Sequence, residues 1–200
     1  MTRIVFSLLF LLLLSVPAWA LSGRVVGVTD GDTITVLTAD RQQVRVRLYG
    51  IDCPEKKQAY GDRARDFVGS AVFGRDVQVE VVGHDRYGRA LGIVSRPGGR
   101  VLNRELLANG LAWVYKKYCK RPECAQWSDD EAAARSARRG LWKQESPLPP
   151  WQWRKSKRSA ATTGEYSTRS MKGGSDENWG GCIGFTGMGS SRLCGGPNAV

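Results

Sequence analysis

With 200 residues, 30 Lys and Arg against 19 Asp and Glu, and a formal charge of +11, the chain is suited to a polyanionic partner. Nucleic acid is the first candidate, through counterion release, although anionic lipid or cell-wall polymer would be drawn by the same field. The single histidine, His84, excludes mechanisms that need a histidine pair and metal sites built from several, and no P-loop, Cys-x-x-Cys or G-x-S-x-G elbow is present.

The chain opens with Thr2-Arg3, an apolar run over 4–16 and then Ala18-Trp19-Ala20, the pattern of a secretory signal with an A-x-A cleavage site. The expected mature protein starts near Leu21 and is exported, periplasmic or extracellular; an uncleaved anchor is the alternative. No later stretch approaches the roughly 20 apolar residues of a membrane-spanning helix, so no stable membrane association is expected after cleavage. A monomer is the expected state.

Runs rich in β-branched residues follow at 23–28, 33–37, 43–49, 76–82 and 90–94, bounded by Gly and Asp, and read as five short strands. Ala64, Phe67, Val68, Ala71 and Val72 fall at the spacing of an amphipathic helix between the third and fourth strands. A second helix fits 102–109, stopped by Gly110. A third is marked by Ser128 and Glu131 at capping-box spacing, by Arg135, Arg138 and Arg139 in its last turn, and by Gly140 at its end. Five strands with one inserted helix suit a small closed barrel.

Ser146-Pro147-Leu148-Pro149-Pro150 halts regular structure. The chain therefore divides into a domain at 21–144 and a basic tail at 145–200, rich in Pro, Gly and Ser and expected to be largely disordered. The domain carries 22 basic and 15 acidic residues, the tail 7 and 4. The tail is expected to be dispensable for chemistry while adding phosphate contacts through Arg154, Lys155, Lys157 and Arg158.

Three short segments carry chemistry. Asp30-Gly31-Asp32-Thr33 joins two strands, and taken alone it is a hairpin turn. The second, Arg47-Leu48-Tyr49-Gly50-Ile51-Asp52-Cys53-Pro54-Glu55, runs off a strand into a Pro-fixed bend, where its acids would by themselves pass for solvated loop residues. Asp85-Arg86-Tyr87-Gly88-Arg89 is again a strand connection. In order and spacing, D-G-D-T, R-x-x-x-x-D-x-P-E and D-x-Y-G-R together resemble the staphylococcal nuclease, or thermonuclease, family. The likeness runs from about residue 23 to 142 and includes Trp113-Val114-Tyr115 and Arg138-Arg139-Gly140-Leu141-Trp142.

The resemblance implies a mainly β fold with helices, an OB-fold five-stranded barrel with three α-helices. It implies calcium held by Asp32, Asp52 and the main-chain carbonyl of Cys53, catalytic roles for Arg47, Glu55 and Arg89, and DNA and RNA as substrates cut to 3′-phosphate and 5′-hydroxyl ends. These roles fit the reaction. Carboxylates are hard donors suited to calcium, a glutamate can take a proton from water, and guanidinium forks match phosphate oxygens. Trp113 and Tyr115 are the implied base-stacking residues, with packing against the barrel edge as the alternative for both.

Of five cysteines, Cys119 and Cys124 bracket a Pro-containing turn and form the expected local disulfide, and Cys182 and Cys194 a second in the tail, which leaves Cys53 unpaired. Two rival functions remain: a catalytically silent OB-fold module that binds nucleic acid, and a wall protein that binds polyanions through its basic tail.

Overall fold

The computed structural model describes residues 20–159; all but the last residue of the signal expected at 1–20, Cys182, Cys194 and most of the tail lie outside the described residues. Two compact units divide the chain, Met1–Lys157 and Arg158–Val200. Of the second, only residues 158 and 159 are described, at the end of a helix.

In the first unit, β1 (Ala20–Asp30), β2 (Thr33–Thr38) and β3 (Gln43–Leu48) form an antiparallel meander. The N-terminal half of β1 also pairs with β5 (Asp76–His84), which pairs antiparallel with β6 (Ala90–Arg96). The ring closes where β3 and β6 run parallel, with Val46 beside Ala90. This is the expected five-stranded barrel, and it leaves none of the five strands with a fully unpaired edge.

Alternation along the strands fills the inside: Val25, Ile34, Val36, Val46, Leu48, Val79 and Val94 are buried. Register shifts in β1 between Val25 and Gly27 and between Val28 and Asp30 let one long strand bend to pair with both β2 and β5. At Gly23, a β-carbon would stand 2.2 Å from the Leu37 carbonyl oxygen, so only glycine permits β1 and β2 to approach there.

Helix α1 (Gly61–Val72) follows the short strand β4 (Ile51–Asp52) and lays Ala64, Val68 and Val72 onto the barrel. After β7 (Arg100–Val101), helix α2 (Leu102–Ala108) buries Leu102, Leu106 and Leu107 together with Asn103. The Asn103 amide donates to the carbonyls of Tyr49 and Gly92 and accepts from the Val94 amide, so a buried polar side chain joins α2 to β6 and to the turn after β3. Strand β8 (Trp113–Val114) pairs with β4, and helix α3 (Glu123–Ser136) and a 3-10 turn (Gly140–Lys143) complete the part legible as a domain.

Two expectations are corrected. Helix α3 starts at Glu123, five residues before the expected cap, with Pro122 as its N-terminal flank. Ser128 lies inside the helix and donates to the Cys124 carbonyl, while Glu131 accepts from the Val114 amide and Arg135. The capping-box spacing therefore marks an interior turn: the Cys119–Cys124 disulfide and Pro122 fix the start of the helix upstream.

The second correction concerns the boundary. The first unit extends to Lys157, not Gln144, because the Pro-rich stretch is a turn that returns the chain to the barrel as helix α4 (150–159). The Gln58 side chain donates to the Leu148 carbonyl at 2.5 Å, and Trp151 packs against the cluster of Trp113, Ala134, Leu141 and Trp142.

Candidate active site

Asp32 sits in the β1–β2 turn. Its amide donates to Asp30 Oδ1 at 3.1 Å, and its carbonyl accepts from the Leu48 amide at 2.8 Å, which ties the turn to the end of β3. Gly31 is needed there, since a β-carbon would lie within 2.8 Å of the β-carbons of Ala64 and Cys53. The Asp32 carboxylate is buried and accepts from the Cys53 amide at 2.9 Å, from the Thr33 hydroxyl at 3.2 Å and from the Arg47 guanidinium.

Arg47 reaches Asp32 because the register places it opposite Thr33. Its second nitrogen donates to Asp52 Oδ1 at 2.7 Å. Asp52 is fully buried in β4, opposite Trp113 of β8. One guanidinium thus bridges two buried carboxylates, one from the β1–β2 turn and one from β4.

Glu55 follows after Pro54, with its side chain 40 % exposed. Gln58 accepts from its amide at 3.1 Å and so fixes the bend. The same centre receives a residue that the sequence reading assigned to the tail: Arg154 of α4 donates to Asp52 Oδ2 at 2.7 Å and to Glu55 Oε1 at 2.5 Å. Four consecutive polar positions, Arg154 to Lys157, gave only the signal of a charged tail.

Burial pushes the Asp32 carboxyl above the usual carboxylate range; Arg47 pulls it down, while Asp30 and Asp52 push it up. Burial works against the charge of Arg47 and Arg154, but the adjoining carboxylates outweigh it and hold both guanidinium groups protonated. The effective penalty for isolating such charges is several kcal/mol per ion, so the acids require close positive charge.

Two hard carboxylates in a confined pair fit a calcium-like cation that takes its remaining oxygens from water and main chain. Among the described residues, no group of three His, Cys, Asp or Glu side chains is assembled for a metal. The Cys53 thiol donates to the Gly31 carbonyl, and burial raises its pKa well above the ordinary value, so it is no thiolate ligand.

Arg89 is not joined to these acids by any hydrogen bond or ion pair among the described residues. Asp85 holds it instead, accepting from its guanidinium at 2.7 Å and from its amide at 3.0 Å. Burial would raise the Asp85 pKa, but the Arg89 and Tyr87 hydrogen bonds and the Arg89 charge bring it below the usual value. Arg89 immediately precedes β6, which runs parallel to β3 with Ala90 beside Val46 and Leu91 beside Arg47.

The aromatic candidates separate. Trp113 is buried and meets Trp142 edge-on at 5.4 Å, so it is a core residue and not a base platform. Its position in β8, facing Asp52 across the pairing, forces it inward. Tyr115 is half-buried, with Tyr118 at its edge and the Trp151 ring stacked flat on it, 5.1 Å away and 7° from parallel. Tyr87 and Tyr118 are the exposed tyrosines among the described residues, each with a cation over its ring, Arg86 and Lys117 respectively. The basic residue beside each tyrosine was the sequence signal for them. His84 ends β5 on the surface.

Residues 45–144 match the family described as staphylococcal nuclease homologue, a span that contains every candidate residue except Asp32. The chain is 44% identical over 158 residues to a micrococcal nuclease of Shigella flexneri, which covers 74% of this chain and 90% of that one. It is 46% identical over 132 residues to an uncharacterized endonuclease of Escherichia coli (66% and 84% covered). A staphylococcal-like nuclease of Arabidopsis thaliana, CAN1, is 43% identical over 117 residues, 58% of this chain and 35% of the plant protein. With half of the chain matched to the family and nearly the full length of a bacterial relative covered, this chain belongs to the staphylococcal nuclease homologue family.

Proposed function

We propose that this chain is an exported, calcium-dependent nuclease that hydrolyses DNA and RNA to 3′-phosphate and 5′-hydroxyl ends. The observation that carries the reading is the Asp32–Arg47–Asp52 bridge with Glu55 beside it. It combines a hard-cation site, a phosphate-binding fork and a partly exposed base within one turn-and-strand constellation.

Asp32, Asp52 and the Cys53 carbonyl would hold calcium, which when bound supplies positive charge that lowers the cost of charge building on the phosphoryl oxygens. Glu55 orients the attacking water and takes its proton. Arg47, released from the carboxylates, forks onto the non-bridging oxygens, and Arg89 does the same from the connection that leads into β6. Attack in line with the 5′-oxygen breaks that bond and leaves the phosphate on the 3′ side. Tyr115 provides the base-stacking face, without a sequence preference of its own.

The test is hydrolysis of plain DNA and RNA by the purified chain. Chelator is expected to abolish cleavage and calcium to restore it, with magnesium a poorer substitute because it demands a stricter octahedral site. Full activity in excess chelator removes the metal assignment, and binding without cleavage in calcium favours the silent OB-fold module. N-terminal sequencing of the exported protein checks the signal, with Leu21 as the expected first residue.

A further inference from the structure

Every carboxylate oxygen of Asp32 and Asp52 is engaged by the chain itself. Asp32 uses Thr33, Cys53 and Arg47; Asp52 uses Arg47 on Oδ1 and Arg154 on Oδ2. Arg154 also takes an oxygen of Glu55. One turn earlier on the same helix, Trp151 lies flat on Tyr115, the ring face that a nucleobase would use. Helix α4 therefore puts a positive charge where the cation acts and a planar ring where the base stacks.

We propose that α4 is a cover in which Arg154 and Trp151 stand in for the cation and the base, so that calcium and nucleic acid gain the centre only when the helix lifts. The proposal rests on the reading of Asp52 and Glu55 as the cation-and-base centre. The anchors of α4 fit a movable element. Beside the Gln58–Leu148 hydrogen bond and the packing of Trp151 on the Trp113–Trp142 cluster, α4 is held at the centre by the Arg154 ion pairs and the Trp151 stack on Tyr115, and these last two are contacts that the ligands replace in kind. A centre closed in this way is silent when free cation is scarce, and its apparent affinity is lowered by the fraction of molecules in the open state.

Calcium affinity, measured by titration calorimetry on the full chain without nucleic acid, tests this directly. Arg154→Gln removes a charge near the acids and would tighten calcium binding for that reason alone. Trp151→Ala touches no acid, so it isolates the cover. With a helix closed in about nine molecules of ten, both variants are expected to bind calcium roughly tenfold more tightly.

Unchanged affinity in Trp151→Ala, with circular dichroism like the parent's, overturns the cover. Absence of calcium binding in parent and variants alike overturns the underlying cation reading, and the cover with it. Hydrogen exchange on the unaltered chain gives a second measure. Amides of 150–157 are expected to lose protection when calcium and an uncleavable oligonucleotide are added together, and full retention of protection with both bound overturns the proposal.

Discussion

Glu55 is the residue on which catalysis and binding separate most cleanly. Glu55→Gln keeps the side chain's size and its hydrogen bond from Arg154, but lacks the basicity to take a proton from water. Single-turnover cleavage is expected to fall by about 10² to 10⁴, while oligonucleotide affinity stays level or rises slightly because one negative charge near a polyanion is gone. Cleavage at the parent rate by a folded Glu55→Gln protein would remove the general-base role. Arg89→Lys is the complementary case. It keeps the charge and loses the fork that Asp85 now orients, so a large rate loss with little change in binding is expected. Both residues are assigned from type and order along the chain. Arg154 is not, since nothing local distinguishes an arginine in a charged run from one folded back onto two carboxylates 99 and 102 positions away.

The segment around the disulfide shows how an element supports the centre from outside it. Cys119 packs under Gly50, whose positive φ of 71° and crowded surroundings leave no room for a side chain; its β-carbon would lie 2.6 Å from the Cys119 sulfur and 2.9 Å from the Trp127 ring. Tyr49 meets Trp127 edge-on and accepts from the Lys120 amide through its hydroxyl. The turn leading into β4 and Asp52 is therefore braced by the loop that the disulfide closes. Cys119→Ser with Cys124→Ser opens a short loop, for which chain entropy gives a loss of about 2 kcal/mol, read by urea denaturation. Calcium binding at room temperature should persist, because no ligand is removed. A stability equal to the parent's would show that packing alone holds the turn.

At the scale of the whole molecule, the cut between domain and tail moves. The four basic residues that gave the tail its charge, Arg154, Lys155, Lys157 and Arg158, all lie in α4, and residues 160–200 carry three basic and three acidic side chains. Truncation after Ser159 is therefore expected to leave cleavage, stability and the salt dependence of binding to long DNA unchanged. Truncation after Gln144 removes the Leu148 partner of Gln58 and the Trp151 packing against the cluster of Trp113, Ala134, Leu141 and Trp142. A loss of about 1 to 2 kcal/mol there corresponds to a fall in Tm of several degrees. Equal Tm values for the two truncations would show that α4 contributes nothing to the barrel.

The amino-acid sequence by itself determined the five barrel strands, two of the three domain helices nearly to their ends, the Cys119–Cys124 pairing and the unpaired Cys53, because each follows from periodicity, turn residues or short spacing within one stretch of chain. The motifs, read in order, also determined the family. Tertiary structure alone decided three things: that Trp113 faces the core and leaves Tyr115 as the stacking candidate, that the third helix begins at the disulfide, and that the Pro-rich stretch returns the chain to the acids. Each depends on contacts between segments far apart in sequence. A buried carboxylate takes whichever positive charge the closed barrel brings within reach, and no local pattern records which arginine that will be.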